Sequence, residues 1–232
     1  MSNANDCEKM FFKSCLAGNL DKAKELITNP EIRLYSCSMH IFKFVCENGH
    51  LHVAQWLYSI NPDTLYDWDE YGFRWACHNG YLEVAQWLYS CKMAALERNS
   101  IVSMNIKPYY HTIFIFVCMN GHLKMAQWLD SLNIKSCNID INFTFRKTCE
   151  HGQLEVAQWL LSTYPNIQVS NETEDAFRWA CMNGHLRVAQ WLLEVQPNIN
   201  IRADKNNAYN LSCENGHLHV SKWLQTIAHL KV

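Results

Sequence analysis

The stretch Asn183-Gly184-His185-Leu186-Arg187-Val188-Ala189-Gln190-Trp191-Leu192 decides how this chain is read, because it recurs. Near-identical strings occupy 48–57, 79–88, 120–129, 151–160 and 215–224. A more divergent copy surrounds Gly18. Seven glycines mark the copies: Gly18, Gly49, Gly80, Gly121, Gly152, Gly184 and Gly216, spaced by 31, 31, 41, 31, 32 and 32 residues. The remaining glycine is Gly72, so this residue is almost wholly a repeat marker. Self-similarity at such a period signals an array of supersecondary units, each too small to bury its own apolar surface and stable only when stacked.

Counted from the marker glycine, each copy reads as two helical patterns. Position −7 is always aromatic (Phe11, Phe42, Phe73, Phe114, Phe145, Phe177, Tyr209) and −3 is always cysteine. That i, i+4 pair predicts the buried stripe of a first helix. The glycine is placed to end it in a left-handed conformation. A second helix follows at once, its apolar positions falling at +2, +4, +5, +7 and +8. The +7 slot holds Trp56, Trp87, Trp128, Trp159, Trp191 and Trp223, which are expected in the packing between copies. Position +3 varies freely and is expected in solvent. Two helices joined by so short a turn run antiparallel. Between copies, stretches rich in Asn, Asp, Pro and Tyr read as projecting loops or short hairpins.

Composition fits this reading. The 232 residues are 49% hydrophobic and 12% aromatic, with 20 basic and 22 acidic side chains for a formal charge of −2. That balance argues against nucleic acid, which needs a basic stripe. No apolar run approaches the roughly 20 residues of a membrane span, and the first residues lack a signal peptide's apolar stretch. Seven of the 11 cysteines occupy the −3 slot. Equivalent slots on packed helices lie about 8–10 Å apart, too far for a disulfide. Unbridged thiols point to a reducing, intracellular location, and the chain is expected to act as a monomer in the cytoplasm.

The pattern resembles the ankyrin repeat. Trp191-Leu192-Leu193-Glu194-Val195-Gln196-Pro197-Asn198-Ile199-Asn200 matches in frame the family's second-helix end and the turn after it. Tyr81-Leu82-Glu83-Val84 and Gln153-Leu154-Glu155-Val156 resemble the family's second-helix start. The likeness runs from about residue 8 to 228 and implies one all-α ankyrin solenoid domain over 1–232. Its copies fall at approximately 8–33, 38–65, 70–100, 111–140, 142–170, 174–203 and 206–230. The family's Thr-Pro-Leu-His opening is absent: Tyr71-Gly72-Phe73-Arg74 and Asp175-Ala176-Phe177-Arg178 stand there instead. The hydrogen bonds supplied by that Thr and His must be replaced or missing. The Ala-Gln-Trp-Leu and Phe-Arg-Trp-Ala-Cys variants resemble ankyrin repeats of giant DNA viruses of amoebae, which would place the protein in a host cytoplasm.

The 41-residue interval between Gly80 and Gly121 contains ten extra residues within 91–110. Met93–Arg98 is helix-forming and expected to lengthen the preceding helix, and the remainder through Lys107-Pro108-Tyr109-Tyr110 to form a loop. That loop is either a tolerated surface insertion or a finger that contacts a partner.

Cys-x-x-x-His recurs as Cys46/His50, Cys118/His122, Cys181/His185 and Cys213/His217. Each copy offers two ligand types where a structural zinc site needs four, so buried thiols are the expectation and no metal or cofactor is assigned. No nucleophile–base pair or phosphate loop stands out, so no catalytic residue is assigned and an enzyme has no motif in its favour.

The expected function is a non-catalytic scaffold or adaptor that binds a protein partner through its concave face and loop tips. The resemblance adds adaptor roles on host proteins, such as ubiquitin-pathway recruitment. Candidate contacts are the −6 row Lys43, Arg74, Arg146 and Arg178, Glu150 at −2, Tyr109 in the insertion, and Trp68 and Asp69 in an acidic loop tip. The mildly basic −6 row suggests an acidic partner. The resemblance also implies an alternative, asparaginyl hydroxylation in the repeat turns, with Asn200 at the matching position.

Overall fold

An aromatic ring and a thiol one helical turn apart present a single apolar stripe, and in the computed structural model that stripe is buried in copy after copy. The structure describes residues 2–30, 32, 34–60, 69–98, 107–132, 139–170 and 174–230. The described residues form helices and turns and no strand.

The helices come in pairs, one pair per copy. They are α1 (Ser2–Leu16) with α2 (Leu20–Leu26), α3 (Leu34–Glu47) with α4 (Leu51–Ile60), and α5 (Asp69–His78) with α6 (Leu82–Arg98). Next come α7 (Lys107–Met119) with α8 (Leu123–Ser131), and α9 (Ile141–Glu150) with α10 (Leu154–Thr163). The series closes with α11 (Asp175–Met182) and α12 (Leu186–Val195), then α13 (Ala203–Glu214) and α14 (Leu218–Leu230). They group into two compact units, Met1–Ile106 and Lys107–Val232. In the first, α1 packs on α3 and α3 on α5; in the second, α7 packs on α9, α9 on α11 and α11 on α13.

The turn inside each copy is a Schellman closure. In the sixth copy His185 N–H donates to the Ala180 carbonyl (2.8 Å) and Gly184 N–H to that of Cys181 (3.1 Å). This satisfies two carbonyls at the end of α11 that have no partner within the helix. Gly184 sits at φ +81°, where a Cβ is strained. The next copy sets a second demand: a Cβ on Gly184 would lie 2.6 Å from Nδ1 of His217. The glycine is therefore fixed both by its own backbone angle and by the side chain stacked against it. Gly216 has a similar φ, +76°, but a Cβ there meets nothing within 4 Å.

The core is made by the −8, −7, −4 and −3 positions of the first helices and the +4, +5 and +8 positions of the second. Phe42, Phe114 and Phe145 are fully buried, as are Cys46, Cys77, Cys118, Cys149 and Cys181. The +5 alanines (Ala54, Ala85, Ala126, Ala157, Ala189) are also fully buried, and their small side chains let helices approach closely.

Copies are joined by a repeated aromatic contact. In the first unit Phe11 meets Trp56 and Phe42 meets Trp87, each at 6.2 Å between ring centroids. In the second unit Phe114–Trp159, Phe145–Trp191 and Phe177–Trp223 repeat the contact at 6.2–6.3 Å. Within each unit a −7 phenylalanine thus packs on the +7 tryptophan of the following copy.

Two sequence expectations need correction. The tryptophans are half-buried, not sealed. At about 100° per residue, +7 lies roughly 100° from the centre of the face set by +4, +5 and +8. The indole meets the preceding phenylalanine and keeps part of its surface exposed, with Tyr58 against Trp87 and Tyr164 against Trp159 covering more of it in two copies. The +2 leucines flank the opposite edge and are half-buried as well, with Leu218 60% exposed. Second, Lys107–Tyr110 is not loop but the first turn of α7. Pro108 at its second position needs no N–H partner there, so it opens the helix. Tyr110 is buried, and its hydroxyl donates to the Leu129 carbonyl. Met93–Arg98 does lengthen the preceding helix, since α6 runs 17 residues. The middle of the insertion, 99–106, lies outside the described residues.

Gly184→Ala and Gly216→Ala separate the two demands on the marker glycine. Both incur left-handed strain of about 1–2 kcal/mol. Only Gly184→Ala must also displace His217. Urea unfolding should show the larger loss for Gly184→Ala; equal losses would mean that the neighbouring side chain yields freely.

Candidate functional site

What the copies leave open to solvent follows from helix geometry. With −7, −4 and −3 facing inward, the opposite side of each first helix carries −9, −5 and −2. Copy-to-copy hydrogen bonds fix the lower edge of this surface. His50 Nε2 lies 2.7 Å from the Leu16 carbonyl, at −2 of the preceding copy. His185 bonds in the same way to the Glu150 carbonyl. A carbonyl only accepts, so the ring nitrogen facing it carries the proton. Asparagines at −1 do similar work: Asn79 Nδ2 donates to the Glu47 carbonyl (2.8 Å) and Asn215 Nδ2 to that of Met182 (2.9 Å). These bonds tie a copy to the backbone of the one before it.

The buried thiols are chemically quiet. Burial pushes Cys15 up to about 12 and raises Cys46, Cys77, Cys118, Cys149 and Cys181 further. A thiol held in its neutral form is neither a nucleophile nor a metal ligand. Among the described residues no three His, Cys, Asp or Glu side chains converge to hold a metal ion.

The sequence-predicted contacts are placed as follows. Lys43 is half-buried, with its ammonium 3.4 Å from the centroid of the Tyr71 ring. Arg74 is exposed. Arg146 lies over Phe143, at 6.0 Å. Arg178 is ion-paired with Asp175 at 2.7 Å and lies over Trp179. Glu150 pairs with Lys147 at 2.7 Å. The −6 row is therefore tied into contacts within the protein. Tyr109 is 40% exposed on the first turn of α7. Trp68 lies outside the described residues, and of Asp69 only the backbone, as the first residue of α5, is described. Asn200 is exposed; its backbone N–H reaches Glu174 and its side-chain oxygen accepts from Arg202 N–H.

A feature the sequence reading missed is the −5 slot. It holds Phe44 and Trp75 in the first unit, and Phe116 and Trp179 in the second. Phe44 is 37% exposed and Phe116 41%. The core does not require these rings, because −7 already fills it. The signal was present in the repeat frame: an aromatic about 160° from the buried stripe, in more than one copy, cannot be serving that stripe.

A family model described as ankyrin repeats, in 3 copies, matches residues 145–230. The family match thus covers the last three copies, residues 145–230. The ankyrin repeat domain of human ASB11, known as a crystal structure, superposes with a TM-score of 0.57 over 93% of this chain and 96% of that one. Identity is 14%, so the likeness is one of fold. A comparison with curated proteins gives no match. All seven helix pairs follow the ankyrin hairpin plan, and no helix among the described residues is long and apolar enough to cross a membrane.

The hydrogen bond of His185 across an ankyrin seam gives a pH prediction. Burial lowers its pKa, outweighing the carbonyl bond, and His151 and His217 lower it further. The folded state therefore favours the neutral ring. Stability is full above the unfolded value near 6.5 and falls as pH drops through the folded value. His185→Gln, the residue copy five uses at Gln153, should flatten the decline in Tm between about pH 7.5 and about pH 5. An identical decline in the variant would remove His185 from the account.

Proposed function

We propose that this protein is a non-catalytic interaction scaffold that engages a protein partner through the solvent side of its first helices. One observation carries this reading: rings at −5 stay in water although nothing in the packing demands them. Exposing Phe44 and Phe116 is unfavourable in the free protein and becomes favourable only when another surface covers them. Large aromatics at the centre of such a patch are the side chains that dominate binding energy in interfaces. Within each unit the packed seams hold the first helices, and the −5 rings they carry, in place, which lowers the entropic cost of association.

Support for a non-catalytic role comes from the thiols, which are neutral and enclosed. The unpaired state of these cysteines fits a reducing, intracellular setting. Within the first-helix surface the −5 rings are the anchors, and the −6 side chains, already engaged with neighbours, frame them.

The test is quantitative affinity capture with three forms of the full chain. Phe44→Ser with Phe116→Ser should reduce recovery of a bound protein at least about tenfold, as expected for loss of a buried aromatic anchor. Gln55→Ser with Gln158→Ser, on the exposed side of the second helices, should leave recovery unchanged. Equal recovery by all three forms would contradict the assignment of the face.

A further inference from the structure

The charge around the exposed rings of the first unit defines what covers them. On the outward side of α1, α3 and α5 the rings form a connected series. Phe12 meets Phe44 edge-on at 6.2 Å, joining the first two copies. Lys43 sits on Tyr71, joining the second and third, and Tyr71 packs against Trp75 at 5.8 Å. Cations lie along this series. Lys13 is exposed at −5 of the first copy, and Arg74 is exposed at −6 of the third. Among the described residues neither Lys13 nor Lys43 has a carboxylate within ion-pair distance. The second unit differs, because Lys147 and Arg178 there are each paired with an acid three residues away.

We propose that the first-helix face of residues 1–106 docks an acidic protein segment bearing large apolar side chains. The apolar side chains cover Phe44 and Trp75, and the carboxylates meet Lys13 and Lys43. This inference rests on the interaction reading above and adds the chemistry of the partner. Complementary charge steers encounter and excludes basic competitors. A cation already held over a ring, as Lys43 is over Tyr71, has little side-chain entropy left to lose when a carboxylate arrives. Nucleic acid fits less well. Phe12 and Phe44 meet edge to face, and an ammonium occupies the open face of Tyr71, so the stacking surface a base needs is spoken for.

The experiment is selection of peptides from a random library against the full chain, followed by fluorescence polarisation with the enriched peptide and with a single-stranded oligonucleotide. Enriched sequences should carry an excess of Asp and Glu together with Phe, Leu, Ile or Trp. Lys13→Gln with Lys43→Gln should weaken the peptide at least about fivefold in low salt, with the difference shrinking in roughly 1 M salt, where the screening length is about 3 Å. Thermal melts of this variant should show a single cooperative transition, lowered only slightly by loss of the Lys43–Tyr71 contact. Enrichment of neutral or basic peptides whose binding still depends on Phe44 would overturn the acidic partner and leave the interaction reading intact. An empty selection would sink both. Tighter binding of the oligonucleotide than of any peptide would replace a protein partner with a nucleic acid.

Discussion

The contact between the −7 phenylalanine of one copy and the +7 tryptophan of the next is what the remainder of this structure depends on. It recurs at 6.2–6.3 Å in both units, between helices that are neighbours in space but about 45 residues apart in sequence. A single hairpin has one aromatic ring, one thiol and a few aliphatic side chains to bury, and no second layer of its own to bury them against. The next copy supplies that layer. Because the ring fills the seam and the alanine at +5 keeps the second helix close, the thiol between them has room for sulfur and little else. The Cys slot is thus a consequence of the aromatic pair and need not have a chemical role.

The same constraint creates the surface available for recognition. Once −8, −7, −4 and −3 are committed to packing, the only first-helix positions free to vary are those on the far side. Hydrogen bonds from His50, Asn79, His185 and Asn215 to the −2 carbonyls hold that far side in register without using its side chains. A rigid scaffold with a variable face is the physical arrangement in which a few exposed rings and charges can specify a partner. The two units use the arrangement differently. In the second, Lys147 and Arg178 are paired with acids on their own helices; in the first, Lys13 and Lys43 have no such pairing among the described residues.

Much of the fold was legible in the sequence because the repeat multiplies every local signal. One phenylalanine four residues before a cysteine means little; seven aromatic–cysteine pairs at the same distance from a glycine define a helix, its buried side and its end. What escaped were the polar and backbone contacts set between copies. The Schellman turn explains a glycine at Gly184, but the approach of His217 to that glycine depends on stacking geometry that no single copy encodes. The histidines at +1 read as incomplete metal ligands because their acceptor, a backbone carbonyl, has no side-chain signature. Lys107–Tyr110 reads as loop because it closes an insertion that interrupts the repeat, although proline is well accommodated in a helix's first turn. The sequence makes the charges at −6 conspicuous, while the rings at −5 have the composition of ordinary core residues. Only the direction of a side chain relative to the buried stripe separates those two slots.

The most direct test of the seam is mass-resolved maleimide labelling of the native full chain. Cys15, Cys46, Cys77, Cys118, Cys149 and Cys181 are buried, while Cys7 and Cys91 are partly accessible. The account predicts that the six enclosed thiols stay unmodified while Cys7 and Cys91 react. It further predicts that Phe145→Ala, which empties one seam, speeds modification of Cys149 and Cys181 far more than of Cys15. Modification of the six at the rate of Cys7 in the unaltered protein would contradict it, because the rings would then not be closing the space between copies.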